Sequence, residues 1–305
     1  MTLQSHAIRL LTLFALTLPF SASAASDKDK TEHPPIQLKN TEQHQLHSDI
    51  TGRNYLLYIG YPSSYNPKSS RKYPVLYLTD AYWTFIKVNA LGPSLCSDHV
   101  AKEYIVVGIG YQGEDLDYGL ERMYELTPSK VDIDWGHNKE GRTGGAHKFL
   151  KAIKKEIIPY VEANMPADPN FRILAGASLG GLFSLYAMYE EPGLFQGIIA
   201  ISPAVGWDGM WLRNREAVLR KEAAGKSGTD ALRLSTRLFM SVGDHETADF
   251  CNNIVKFHGI INSGAYADFA YKFRIIDGER HGGTKAEGFN RGIRFMFEKP
   301  AEAAQ

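Results

Sequence analysis

The sequence predicts an α/β fold, a mostly parallel eight-stranded sheet with helices on both faces. Short apolar runs of strand length alternate with segments whose apolar residues recur every three or four positions. The central runs are apolar at consecutive positions, as expected of parallel strands that are buried on both faces. The alternation continues without a break from Tyr55 to Phe297, which favours one domain over the two that length alone would suggest.

Eight segments have the composition of strands. The first two are β-rich, and the second ends at Pro62, which cannot donate to a ladder. The other six are the short apolar runs. The predicted strands lie at Gln37–His47, Tyr55–Tyr61, Pro74–Leu78, Tyr104–Ile109, Arg172–Gly176, Gly197–Ile201, Leu238–Val242 and Tyr271–Ile276.

Helical periodicity is clearest over Ala146–Asn164, where apolar residues recur at three- and four-residue steps. Further helices are predicted at Leu182–Tyr189, Trp211–Ala224, Phe250–Ile261 and Ala286–Phe297. The stretch 111–145 is irregular and rich in Gly, acidic and aromatic residues. A loop of that length in a compact domain is usually functional.

The N-terminus has the pattern of a signal peptide. A single Arg9 precedes the apolar run Leu10–Phe20, which ends in Ala22-Ser23-Ala24 and is too short to span a bilayer. We therefore expect a signal peptide at 1–24, a flexible lead-in at 25–35 and a single domain at 36–300. The mature protein would be periplasmic or secreted, without a membrane span.

Charge and cysteine content argue against a nucleic-acid partner and against a CxxC metal or redox site. Lys and Arg total 34 and Asp and Glu total 34, so the balance does not favour a nucleic-acid partner. The two cysteines, Cys96 and Cys251, form no CxxC motif. They are expected on helices over opposite faces, as buried free thiols, with pairing in an oxidising compartment as the alternative. No metal or organic cofactor is expected, and the oligomeric state is not predicted.

The motif that carries chemistry is Gly176-Ala177-Ser178-Leu179-Gly180, which fits G-x-S-x-G. The pattern alone is weak, but here it follows an apolar strand and leads directly into a helix. That is the strand, sharp turn and helix of the nucleophile elbow in α/β-hydrolases. We therefore predict that Ser178 is a nucleophile, whereas the alternative is an ordinary turn with a capping serine.

A serine nucleophile needs a base, which in this fold follows the last strand, after the acid in chain order. His281 occupies that position. The acid is expected after the seventh strand, where Glu246 is favoured and Asp244 is the second choice; a Ser/His pair without an acid remains open. Backbone N–H groups of Leu179 and Tyr82 are the expected oxyanion donors.

Several separated segments resemble the Putative esterase, or esterase D-like, family of α/β-hydrolases, which includes ferric-siderophore esterases and S-formylglutathione hydrolases. One departure is Asp80-Ala81, where Asp-Gly is common. The matching segments are Tyr73–Asp80, Val107–Tyr111, Arg122 with Leu126-Thr127-Pro128, Phe149-Leu150 with Ile157-Ile158-Pro159, Gly176–Phe183 and Ile201-Ser202-Pro203.

Within that family the chain is most similar to periplasmic esterases of trilactone siderophores. The resemblance implies a small-molecule ester as substrate. Arg122 is expected either to meet an anionic substrate or to hold its loop through carbonyl contacts. Trp83 and Trp207 are candidates for an aryl-binding wall, with packing in the core as the alternative.

The leading hypothesis is a serine carboxylic ester hydrolase that acts through an acyl-enzyme. A second hypothesis keeps the site but transfers the acyl group to an alcohol, as related mycolyltransferases do. A third is a binding protein on an inactive hydrolase scaffold. The third requires loss of the serine or the histidine, and both are present.

Overall fold

The computed structural model describes residues 36–113, 116–132, 142–227 and 232–299, and from Lys39 onward these form one compact unit. It confirms the predicted α/β fold with an eight-stranded, mostly parallel sheet. The strands are β1 (Thr41–Ser48), β2 (Arg53–Gly60), β3 (Tyr73–Leu78), β4 (Ile105–Tyr111), β5 (Ala167–Ala177), β6 (Gly197–Ile201), β7 (Leu232–Gly243) and β8 (Tyr266–Ile276).

Helices follow most of the parallel strands. The long predicted helix at 146–164 is a continuous helical segment with a π-helical turn, Ile153–Ile157, in its middle. The α-helices are α1 (Ala81–Ser97), α2 (Tyr118–Glu125), α3 (Ala146–Ala152), α4 (Ile158–Asn164), α5 (Leu179–Glu190), α6 (Trp207–Ser227), α7 (Ala248–Ser263) and α8 (Thr284–Phe297).

The strand order is β1-β2-β4-β3-β5-β6-β7-β8. β2 pairs antiparallel with both neighbours, and the pairs from β4 to β8 are all parallel. The carboxyl ends of β3, β5, β7 and β8 therefore meet at one edge of the sheet. In open α/β sheets the loops at that edge form the ligand site.

Each face of the sheet has its own apolar core. α3, α5, α6 and α7 pack on one face, where Phe149, Phe183 and Phe257 are fully buried. α1 and α8 pack on the other face, where Phe85 and Phe289 lie against β-strand side chains. Burying each such ring contributes about 2 kcal/mol, and this holds the helix N-termini firmly at the carboxyl edge.

Some predicted boundaries are wrong for identifiable reasons. β5, β7 and β8 each begin five or six residues before the predicted start, because their first halves carry polar residues that hide the strand pattern. Within α6, Asp208–Met210 adopt left-handed φ values, so regular helical backbone runs from Trp211, the predicted start of this helix. Cys96 and Cys251 are free, as expected, but half-buried rather than buried.

The predicted signal peptide and lead-in, 1–35, lie outside the described residues. Among the described helices, none combines the length and apolar character that crossing a bilayer requires.

Candidate active site

Ser178 lies in a sharp turn between β5 and α5. Its backbone has φ 58° and ψ −118°, a region that residues with a Cβ rarely adopt. Three hydrogen bonds hold it there: the Ser178 N–H donates to the Ile201 carbonyl (2.9 Å), and the Ser178 carbonyl accepts from the N–H groups of Leu182 (2.9 Å) and Ala204 (3.0 Å). The strained turn is therefore fixed by β6 and α5, as a nucleophile elbow requires.

The glycines of the motif allow the elbow to close. A Cβ on Gly176 would overlap the Gly180 carbonyl, and a Cβ on Gly180 would overlap the Thr79 hydroxyl and lie 3.2 Å from an Asp80 carboxylate oxygen. Thr79 and Asp80 form the turn after β3. The elbow and this turn are therefore in contact, which only residues without side chains permit.

His281 lies in the loop between β8 and α8, and Glu246 lies in the loop between β7 and α7. Nδ1 of His281 is 2.6 Å from Oε2 of Glu246. The Glu246 side chain is 2% exposed and that of His281 is 43% exposed. A carboxylate can only accept, so Nδ1 donates, and the neutral imidazole keeps Nε2 free to take a proton.

Glu246 is held by further donors. Its Oε1 accepts from the Ser202 hydroxyl at 2.5 Å and from the Gly243 N–H at 2.9 Å. Burial acts to raise the pKa of Glu246, but hydrogen bonds from His281, Ser202 and Gly243 outweigh it and lower the pKa below its ordinary value. The carboxylate is therefore charged at neutral pH. Asp244, the second choice, is exposed.

Sequence reasoning missed Ser202 as a site residue. It is buried at the end of β6 with φ 43°, and its hydroxyl donates to Glu246. Thr284, the first residue of α8, is also buried and lies 3.4 Å from the same carboxylate oxygen. The available signal was position, since Ser202 follows a central strand whose carboxyl end faces the site.

Ser178 and His281 line the same cavity, which has a volume of about 790 Å³ and is called the active-site cavity below. The structure therefore brings the predicted nucleophile, base and favoured acid together at one sheet edge. The cavity is lined by Gly119, Arg122, Met123, Ser178, Leu179, Ala204, His245, Glu246, Thr247, Phe250, Arg280 and His281.

The two predicted oxyanion donors lie in first turns of helices. α5 begins at Leu179 and α1 begins at Ala81, so Tyr82 is its second residue. N–H groups in the first turn of a helix have no partner within the helix. Because the turn before α1 contacts Gly180, both sets of N–H groups lie near the elbow.

Arg122 lies on α2, lines the cavity and forms a bidentate ion pair with Asp80. Its Nε and Nη2 each lie 2.8 Å from a different carboxylate oxygen. Burial acts to lower the pKa of the guanidinium, but the Asp80 carboxylate raises it by more. Arg122 therefore holds α2 to the β3–α1 turn through the Asp80 carboxylate, whereas the loop-holding alternative predicts contacts with backbone carbonyls.

The two candidate tryptophans lie in different environments. Trp83 is partly exposed on α1, with the Arg122 guanidinium 5.7 Å from its ring centre. Trp207 is buried, and its indole N–H donates to the Ser129 hydroxyl at 3.0 Å. Within the described part of the chain, neither contributes to the wall of the active-site cavity. Trp207 belongs to the core instead, since its ring packs there and its polar atom is satisfied.

An exposed aromatic surface lies beside Arg122. Tyr82 and Tyr118 stack with ring centres 5.0 Å apart, and Trp83 meets both rings edge-on. Tyr82 is 61% exposed. We call Tyr82, Trp83 and Tyr118 the aromatic ledge.

Comparison with known proteins gives several relatives that are named as siderophore esterases. A siderophore triacetylfusarinine C esterase from Aspergillus fumigatus is 31% identical over 181 residues, 58% of this chain and 60% of that protein. The ferri-bacillibactin esterase BesA of Bacillus subtilis is 27% identical over 219 residues, 68% of this chain and 72% of that protein. This chain thus spans less than two thirds of the fungal relative.

Two solved structures are similar to this chain over most of its length. The BES protein from Bacillus cereus has a TM-score of 0.75 and 27% identity, covering 89% of this chain and 100% of that chain. The siderophore hydrolase EstB from Aspergillus nidulans has a TM-score of 0.71 and 25% identity, covering 87% and 98%. The model of one family, described as Putative esterase, matches residues 48–278, so this chain belongs to the Putative esterase family and has its α/β-hydrolase fold.

Proposed function

We propose that this protein is a serine carboxylic ester hydrolase that works through an acyl-enzyme. The observation that carries the proposal is the hydrogen bond between His281 and a buried Glu246, in the same cavity as a Ser178 held in a strained elbow. Such a constellation suits acyl transfer, because each group has the partner that its step needs.

In the first half-reaction the Ser178 oxygen attacks the ester carbonyl while Nε2 of His281 takes the hydroxyl proton. Glu246 keeps the imidazole in the required tautomer and stabilises its positive charge. The tetrahedral intermediate then breaks its bond to the alcohol oxygen, which receives the proton from His281. In the second half-reaction water attacks the acyl-serine by the same proton transfers and releases the carboxylic acid.

The negative charge that develops on the carbonyl oxygen needs fixed donors. We assign the backbone N–H groups of Leu179 and Tyr82 to this role. Supporting the assignment, both lie in first helical turns, and Thr79 and Asp80, directly before α1, contact Gly180 in the first turn of α5. Losing one such donor typically costs on the order of 10² to 10³ in rate.

For the substrate we propose a siderophore ester, of trilactone type or with aryl groups. The relatives are named for siderophore esters, and the aromatic ledge offers exposed rings on which an aryl group can stack beside the cavity. We also propose that the protein is exported to the periplasm or secreted after cleavage following Ala24. Intact-mass measurement of the secreted chain checks that cleavage site.

The test is labelling by a fluorophosphonate probe, which bonds covalently to an activated serine. We expect label on the wild type and on Ser69→Ala, a control at an exposed serine, and none on Ser178→Ala. Label that persists on Ser178→Ala would show that the nucleophile is another residue. An ester panel then compares trilactone, aryl and short acyl esters, with and without an added alcohol. If the acyl group is transferred to the added alcohol in preference to water, the protein is an acyltransferase and not a hydrolase.

A further inference from the structure

We propose that Arg280 and His245 form an anion subsite in the active-site cavity, which binds a negatively charged group on the alcohol half of the ester. Both residues line the cavity, as His281 does, and Arg280 directly precedes His281 in the β8–α8 loop. The inference rests on the proposed ester hydrolysis at Ser178 and adds a chemical requirement to it, a carboxylate, sulfonate or phenolate on the departing alcohol.

The balance of charges around the cavity leads to Arg280. The described cavity wall contains two arginines, and one of them, Arg122, forms a bidentate ion pair with Asp80. The carboxylate in the wall, Glu246, is bonded to His281. Arg280 is exposed, and no ion pair found among the described residues involves it. Among the described charged side chains that line the cavity, the Arg280 guanidinium is therefore the one without an ion-pair partner.

The acids nearest to Arg280 in sequence lie outside the described cavity wall. Asp244, Asp277 and Glu279 belong to the same two loops, but none of them is part of the described cavity wall. The Glu279 carboxylate lies instead over the backbone of Gly283, where a Cβ would overlap it. An anion that enters the cavity meets Arg280 and His245 rather than these carboxylates.

The backbone that carries the subsite is fixed. The Arg280 carbonyl accepts from both the N–H (3.0 Å) and the hydroxyl (2.9 Å) of Thr284. The His245 N–H donates to the Glu279 carbonyl at 3.1 Å, which ties the β7–α7 loop to the β8–α8 loop. Binding an anion at the subsite therefore requires ordering of side chains but not of the backbone that carries them.

Chemistry places the anion on the alcohol half. His281 delivers its proton to the departing oxygen, so the alcohol half must lie on the histidine side of the cavity. Arg280 directly precedes His281. A guanidinium presents two parallel N–H groups that match a carboxylate or a pair of phenolate oxygens.

The experiment compares two butyrate esters that differ in one charge, those of 4-hydroxy-3-nitrobenzoate and of 4-hydroxy-3-nitrobenzamide. Both release a coloured phenol. We expect Arg280→Gln to lower kcat/KM for the anionic ester about three- to tenfold while the neutral ester changes less than twofold. Arg280→Lys should retain part of the preference, and added salt should reduce it.

The matched control is Arg294→Gln, which removes the same charge from an exposed arginine that lines a separate cavity near the end of α8. It should leave both esters unchanged. An equal loss on both esters in Arg280→Gln, or no change in their ratio, would overturn the subsite.

A second pair, the 4-nitrophenyl esters of 4-carboxybenzoate and 4-carbamoylbenzoate, carries the charge on the acyl half. A larger dependence on Arg280 in this pair would overturn the assignment to the alcohol half. If the wild type cleaves none of the four esters, it is the proposed ester hydrolysis that fails.

Discussion

Replacing Glu246 by Gln is the sharpest test of the site, because it keeps the shape of the side chain and changes only its hydrogen bonding. In the native site Oε1 faces the Gly243 N–H at 2.9 Å, a group that can only donate. The amide oxygen of Gln must therefore take that place. Its NH₂ group then faces Nδ1 of His281, where the native atom is 2.6 Å away.

A donor at that position forces Nδ1 to accept, so the imidazole proton moves to Nε2. With the proton on Nε2, the neutral imidazole cannot accept a proton from Ser178 at that atom. The variant also lacks the carboxylate charge that stabilises the imidazolium. We expect kcat to fall about 10³- to 10⁴-fold, which corresponds to about 4 to 5.5 kcal/mol of transition-state stabilisation. KM should change little, because the Glu246 carboxylate is 2% exposed and is bonded to His281 and Ser202.

The assay is steady-state hydrolysis of 4-nitrophenyl butyrate, with thermal unfolding to show that the variant is folded. Asp244→Asn is the matched control, since it removes the same charge from an exposed side chain two residues away. It should retain activity within about twofold. A loss in Asp244→Asn with an active Glu246→Gln would refute the reasoning, and full activity in both would favour a Ser/His pair without an acid.

Three further predictions concern the frame of the site. Gly180→Ala should lower activity at least tenfold and reduce the free energy of unfolding in urea by about 1 to 3 kcal/mol, because its Cβ overlaps the buried Thr79 hydroxyl. In the control, Gly259→Ala, the new Cβ enters open space, so stability should be unchanged or increased. Arg122→Gln should cost about 3 kcal/mol in the same assay, because it leaves the buried Asp80 carboxylate unpaired, and an unchanged urea midpoint would contradict that pairing. Burial raises the pKa of Glu125 from 4.5 to about 7, so the native state binds more protons between these values and the melting temperature should fall as pH rises through this range. Glu125→Gln should flatten that profile.

Much of the fold could be predicted from the sequence, because burial on both faces leaves uninterrupted apolar runs. The runs at β3, β4 and β6 gave strands within one or two residues. The sequence predicts the start of α5 at Leu182 instead of Leu179, because Gly180 and Gly181 have no side chain to extend a helical pattern. The periodicity predicts the regular part of α6 from Trp211, and it gives no sign of the left-handed residues Asp208–Met210 that precede it.

The candidate site was predictable only where chemistry follows chain order. Ser178 has a local motif, and His281 has a position after the last strand. Ser202 has neither, so its hydrogen bond to Glu246 could not be predicted. The Arg122 partner, Asp80, is 42 residues away in sequence, and this pairing needs the β3–α1 turn and α2 to be placed in space.

The sequence by itself determined the sheet, the family resemblance and the order of nucleophile, acid and base, because residue periodicity and motif context are local properties. Only the tertiary structure decided which carboxylate meets His281, which tryptophan is buried and which arginine keeps a free charge. Those outcomes depend on the direction in which each side chain leaves its loop. That direction is set by packing between elements distant in sequence, which no local pattern records.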